Sequence, residues 1–292
     1  KICKILLVIL AIFLCVAFYE LIGICIAYKK QPEVSNTTKK ETKNGSWNEC
    51  SENTERAVII EKNPEALLQR VRLIQNAKEE IILSTFAFKS DESGKLILGA
   101  LHDAADRGVH IRLLVDGMES WIDMEGNPYF YGLSSHENVE IKLYNKANPL
   151  KPWKMMGRMH DKYLIADGKT YILGGRNTYN YFLGDFPGHK NYDRDVLVVC
   201  DEPEKENSVN QLLEYFETIW EQEDSGYFHD NKKLANRKSV KNAVLELQNG
   251  YQKYFEENKE RICDTDYTDE TFETEKIALV SNPIHTGSKE PV

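Results

Sequence analysis

Residues 158–177 read Arg-Met-His-Asp-Lys-Tyr-Leu-Ile-Ala-Asp-Gly-Lys-Thr-Tyr-Ile-Leu-Gly-Gly-Arg-Asn. Asp167-Gly168 lies between two apolar runs, the strongest short-range signal for a tight β-hairpin. On the first strand His160 and Lys162 are two apart and share one face, while Tyr163 and Ile165 point to the other. The second strand, Thr170 to Leu173, ends in Gly174-Gly175, where missing side chains let a ligand come close to the backbone. Asn177 follows as a neutral donor. One small sheet surface therefore carries an imidazole, an ammonium, an amide and bare backbone.

That set suits holding and attacking a phosphoryl group. A neutral imidazole is available as a nucleophile near pH 7, because its unperturbed pKa is about 6.5. Lys162 supplies positive charge where a transferring phosphoryl group is negative. A histidine packed on an ordinary hairpin is the bland alternative, and it suits an isolated His-x-Lys far better than a fuller pattern.

The fuller pattern is present. HxKxxxxD followed by GGxN, met by His160, Lys162, Asp167, Gly174, Gly175 and Asn177, resembles the signature of the phospholipase D superfamily. The resemblance implies an α/β fold, a mixed sheet flanked by helices. It implies that His160 attacks a phosphodiester to give a phosphohistidine, that Lys162 and Asn177 bind the nonbridging oxygens, and that Asp167 is mainly structural. No metal or other cofactor is implied. It also implies a carboxylate that orients the imidazole from just before a later strand. Asp195, directly followed by Val196, matches that position, and Asp193 is the runner-up. The reaction needs a second histidine as general acid. Of the seven histidines only His160 has the motif around it. Family members meet this need with a second motif-bearing half or with a second identical chain, and the former is expected here: the chain opens on Lys1 rather than Met and closes on Lys-Glu-Pro-Val.

Ahead of the motif, residues 1–28 are expected to form a transmembrane anchor. Apart from Lys4, Ile2 to Tyr19 is apolar sequence, resumed after Glu20, and it is too long for a signal-peptide core. Glu20 would cost about 3 kcal/mol at mid-bilayer, which places it near an interface or against a partner helix. Residues 29–56 read as a polar tether with incidental sequons at Asn36 and Asn44. Residues 57–222 form the expected catalytic half-domain. Pro64 opens a helix, a strand spans Ile81 to Phe88, Gly108 ends a second helix, and Val109 to Val115 and Val139 to Tyr144 are further strands. Strand, helix, strand implies a right-handed crossover and a parallel pair. Val209, Leu212, Leu213, Phe216, Ile219 and Trp220 mark a core-facing helix. Residues 223–292 are expected to be a charged, solvated linker, with a helix near 240–255 and a short strand from Ile277 to Val280. Aromatic and methionine-rich loops at 118–131 and 146–159, including Trp121 and Trp153, are placed as a lipid-facing rim or as core.

Charge and cysteines narrow the function. A net charge of −9 lacks the basic footprint of a general nucleic-acid binder. The six cysteines show no metal spacing; Cys200 reads as core, and a Cys50–Cys263 bridge would require an oxidising compartment. The favoured reading is a membrane-anchored phospholipase D-like phosphodiesterase or cardiolipin synthase-type phosphatidyltransferase acting on phospholipid. A nuclease of the same superfamily and a catalytically silent phosphate-binding membrane protein are the alternatives.

Overall fold

A computed structural model describes residues 2–29, 55–154, 157–200, 207–229 and 231–281. Most of the polar tether, with both sequons and Cys50, lies outside the described residues, as do Met155 and Met156. Helix α1, Ile2–Lys29, stands first, and its stretch Ile2–Ile26 is long and apolar enough to cross a membrane.

The body is a mixed sheet between helices. Its strands are β1 (Glu55–Ile60), β2 (Glu80–Thr85), β3 (His110–Asp116), β4 (Val139–Tyr144), β5 (Lys162–Ala166), β6 (Thr170–Gly174), β7 (Asp195–Cys200), β8 (Ser225–Tyr227) and β9 (Phe272–Thr274). Among the described residues they lie in the order β8-β4-β3-β2-β5-β6-β7-β1-β9. β2, β3 and β4 are mutually parallel, as the strand-helix-strand pattern requires, while β5, β6, β7 and β1 run antiparallel to their neighbours. The 167–168 reversal forms as expected: Asp167 and Gly168 both have positive φ, and Lys169 N donates to Ala166 O.

Alternation along β5 explains the two layers. Leu164 and Ala166 enter the core beneath α2 (Asn63–Asn76), α3 (Glu92–Asp106) and α7 (Lys238–Ile262). Tyr163 and Ile165 enter a second cluster beneath α6 (Ser208–Trp220), whose Val209, Leu212, Phe216, Ile219 and Trp220 are buried at the predicted helical spacing. Cys200 is buried there too, and Cys263 is an exposed free thiol.

Three expectations are corrected. Residues 118–131 are not one loop: α4 (Gly117–Asp123) and α5 (Pro128–Ser134) occupy them. Met124, Phe130 and Tyr131 pack into the core, whereas Trp121 and Ile122 stay exposed. Among the described residues, those from 223 to 281 are not a solvated linker either. β8 pairs with β4, β9 pairs with β1, and α7 buries Val240, Ala243, Leu247, Tyr251 and Ile262 against the other helices. The charges of α7 lie on its exposed side, and Asp224, Asp264 and Glu270 outside the helix pair with Lys154 and Arg72 of the body, so a high charge density here coexists with a packed face. Finally, Ile277 to Val280 is irregular backbone; Leu279 N is held by the Gln211 side chain at 2.9 Å.

Leu247→Ala separates the two views of α7. Its side chain is 1% exposed, so truncation is expected to cost about 2–4 kcal/mol in chemical denaturation. A change below about 0.5 kcal/mol, typical of a surface site, would restore the linker reading.

Candidate active site

The motif residues meet at one end of the sheet. Thr85 at the end of β2 pairs with Lys162 at the start of β5, and Gly174 at the end of β6 pairs with Asp195 at the start of β7. β3 and β4 also finish here, at Asp116 and Tyr144. Strand ends release side chains from ladder geometry, so parallel strands gather polar groups at their carboxyl ends.

His160 and Lys162 fall together as predicted. Lys162 Nζ is 3.0 Å from His160 Nδ1 and also donates to the His160 carbonyl. His160 is exposed and Lys162 buried. Both line a cleft of about 400 Å³ with Arg158 on the same wall and Leu212, Tyr215 and Leu279 among the lining residues. Desolvation, then the nearby Lys162 and Arg158 cations, hold the imidazole below its ordinary pKa, against the pull of Asp116. Desolvation likewise brings Lys162 down to about 8, opposed by the carboxylates of Asp161 and Asp193. At neutral pH the site thus presents a neutral imidazole beside an ammonium that loses its proton easily.

Four residues without a role in the sequence reading position this pair. Asp116 is 1% exposed and caps α4, accepting from Met118 N and Glu119 N. Its carboxylate also receives Arg158 Nε at 2.9 Å and Met159 N at 3.0 Å, which pins the backbone directly before His160. Phe86 lies against the imidazole, ring centroids 4.6 Å apart, with the Arg158 guanidinium 4.8 Å from the same ring. Tyr215 donates to Asp161 at 2.8 Å across the cleft. Asp116's second oxygen reaches Met159 N, 43 residues along the chain, a contact that no local sequence signal marks.

The remaining motif positions resolve differently. Asp167 accepts from the backbone N–H groups of Lys78, Glu79 and Glu80, at 2.8 to 3.2 Å, and so ties the hairpin to the start of β2. Asn177 is buried, and its Oδ1 accepts from Ala87 N at 3.0 Å. The glycines are explained by protein rather than by an approaching ligand: a Cβ at Gly174 would overlap Asp195 and the Arg194 carbonyl, and one at Gly175 would overlap the Asp193 carboxylate. Asp195 is a correction. Its carboxylate is fully buried between Arg70 at 2.9 Å and Arg176 at 3.3 Å rather than on the imidazole. Two buried guanidinium groups require a buried counter-charge, and Asp195 supplies it. Asp193, the runner-up, lies against Gly175 and is close enough to raise the Lys162 pKa.

The chain is similar to several known proteins. A family model described as cardiolipin synthase, PLD-like domain, matches residues 70–220, just over half of the chain. An uncharacterised protein of Helicobacter pylori strain J99 is 30% identical over 212 residues, covering 68% of this chain and 39% of that protein. Cardiolipin synthase C of Escherichia coli K12 is 28% identical over 171 residues, covering 54% of this chain and 34% of that protein. The chain therefore spans well under half the length of these relatives. Among solved structures, Nuc of Salmonella typhimurium, a phospholipase D family member, aligns with a TM-score of 0.43 at 20% identity, over 60% of this chain and 99% of that one.

Two substitutions distinguish the carboxylates. Asp195→Asn leaves Arg70 and Arg176 without their anion and is expected to cost about 3–5 kcal/mol of stability. Asp193→Asn should leave the melting temperature within a few degrees but lower the Lys162 pKa from about 8, read by NMR of the lysine Cε signals. An unchanged Lys162 titration in Asp193→Asn would remove Asp193 from the site.

Proposed function

The chain belongs to the family of cardiolipin synthase-like phospholipase D domains, and on that premise we propose that it is a membrane-anchored phosphodiesterase or phosphatidyltransferase acting on phospholipid through a phosphohistidine. The observation that carries this reading is the neutral imidazole of His160 held 3.0 Å from the desolvated ammonium of Lys162, in a cleft whose wall also carries Leu212, Ile219 and Leu279. Apolar lining beside an imidazole and an ammonium suits a diester with a lipid substituent.

At rest the Lys162 ammonium faces Nδ1. A bound diester offers that ammonium anionic oxygens, which raises its pKa and draws it off the ring. A ring nitrogen of His160 then attacks phosphorus, the P–O bond to the leaving alcohol breaks, and a general acid protonates the departing oxygen. Water or a second alcohol displaces the phosphohistidine and returns the proton to that acid. Arg158, paired with Asp116 and Glu119, holds positive charge beside the developing anion. Asn177, clamped to Ala87 N, is assigned to the nonbridging oxygens, and Asp167 keeps the hairpin in register. The general acid is the histidine of a second motif, from another half of a longer chain or from a second copy. Helix α1 is the anchor that keeps the cleft beside its substrate.

The test is hydrolysis and alcohol exchange on phosphatidylglycerol vesicles by detergent-solubilised protein, alone and with the second motif supplied, beside His160→Asn. Activity that needs the second motif and is abolished by the substitution, by a factor of about 10³ or more, is the expected result. For the free enzyme, kcat/KM should fall on the acid side below the ordinary histidine pKa, as His160 protonates. It should fall again above about pH 8, as Lys162 loses its charge. Turnover of single-stranded DNA or RNA with none on lipid would replace the lipid reading by a nuclease.

A further inference from the structure

Helix α1 does not stand clear of the body. Tyr19 Oη donates to the Leu150 carbonyl at 2.8 Å. At Gly23, which is buried, the Pro152 ring occupies the space that a Cβ would fill. The 3-10 turn Pro152–Lys154 is thus docked on the C-terminal third of the apolar span. Glu20, between these two contacts, is half-buried rather than exposed.

This contact fixes a depth. The 25 residues of Ile2–Ile26 extend ~37 Å at 1.5 Å per residue, against about 30 Å of hydrocarbon. Centred in a bilayer, such a helix carries Gly23 within about 2 Å of the hydrocarbon boundary and Tyr19 ~8 Å beneath it. A group hydrogen-bonded to the Tyr19 hydroxyl lies within one side chain's reach of that level. The side chain there is Leu150, 78% exposed, an apolar group with nothing but solvent over it in the absence of lipid. Lys151 beside it is exposed, as is Lys29 at the end of α1. A tyrosine hydroxyl at this depth needs a partner within the protein, and the Leu150 carbonyl is that partner.

From this geometry, and resting on the reading of α1 as a membrane anchor, we infer that residues 147–154 are a second membrane contact, in which Leu150 enters the outer acyl region beside α1 while Lys151 and Lys29 meet anionic headgroups. The depth matches that of segments lying in a membrane interface, about 5–10 Å. Cationic side chains flanking an apolar tip favour a surface rich in anionic lipid. The consequence concerns the cleft. Arg158 and His160 follow this loop by only a few residues, so the docked loop brings the imidazole to the lipid surface, and a tether alone would not.

The experiment places p-benzoylphenylalanine at single positions of the full chain, reconstituted in vesicles of phosphatidylglycerol and phosphatidylcholine, and measures lipid adducts after irradiation. The positions are Phe13, inside the span, Leu150, and Lys169, exposed on the hairpin turn at the far end of β5. Adducts at 13 and 150, at least tenfold above those at 169, are the expected result. Adducts at 13 without adducts at 150 overturn the second contact and leave the anchor standing. None at 13 removes the anchor and the inference with it. Leu150 is exposed, so its replacement does not threaten folding. Gly23→Ile, which displaces Pro152, should cut the adduct at 150 several-fold and spare that at 13; an unchanged yield at 150 would show that docking on α1 does not set its depth.

Discussion

The buried carboxylate of Asp195 between Arg70 and Arg176 is the constraint on which the site end of this molecule depends. The three groups come from β7, α2 and the turn after β6. Arg176 also donates to the carbonyls of Ile60 and Glu61 and to the Asn63 side chain, so it joins the end of β1 and the start of α2 to the same point. Inside a protein such a cluster holds because each charge is answered, and removing one member leaves the others uncompensated. Gly174 and Gly175 must be bare because this cluster draws residues 193–195 against them.

With that end fixed, the hairpin delivers His160 and Lys162 to one wall, and a second clamp finishes the arrangement. Asp116 joins the end of β3 to the backbone of Met159 and to Arg158. Phe86 fills the space behind the imidazole. The cost of this packing is desolvation, which lowers the pKa of both His160 and Lys162. Desolvation is useful to the proposed chemistry: it keeps the nucleophile neutral and leaves a cation whose charge is best satisfied by an arriving phosphodiester.

Much of this was legible from residue order. The Asp-Gly reversal, the parallel β2–β3 pair and the apolar stripe of α6 follow from periods of 2.0 and 3.6 and from turn chemistry, and the structure shows each; His160 and Lys162 meet as well, although His160 lies just ahead of β5 rather than on it. Where the fold departs from what residue order implies, contacts between distant residues are the reason. Charge density after residue 223 is the pattern of a solvated segment, yet a helix such as α7 can carry many charges on its outer side and still bury Leu247 and Tyr251 on its inner one. Position before a strand puts Asp195 on the imidazole, but nothing local shows that two arginines, one more than a hundred residues away, compete for it.

Sequence by itself determined the groups this protein brings together, an imidazole and an ammonium two residues apart at the start of a hairpin, because those are local facts of spacing and backbone preference. Tertiary structure alone decided which carboxylate serves which cation, that Asp116 and Phe86 stand behind His160, and that Leu150 and Pro152 rest on α1. Those outcomes depend on groups far apart in the chain, whose pairing is set by burial and by which charges must be answered once water is excluded.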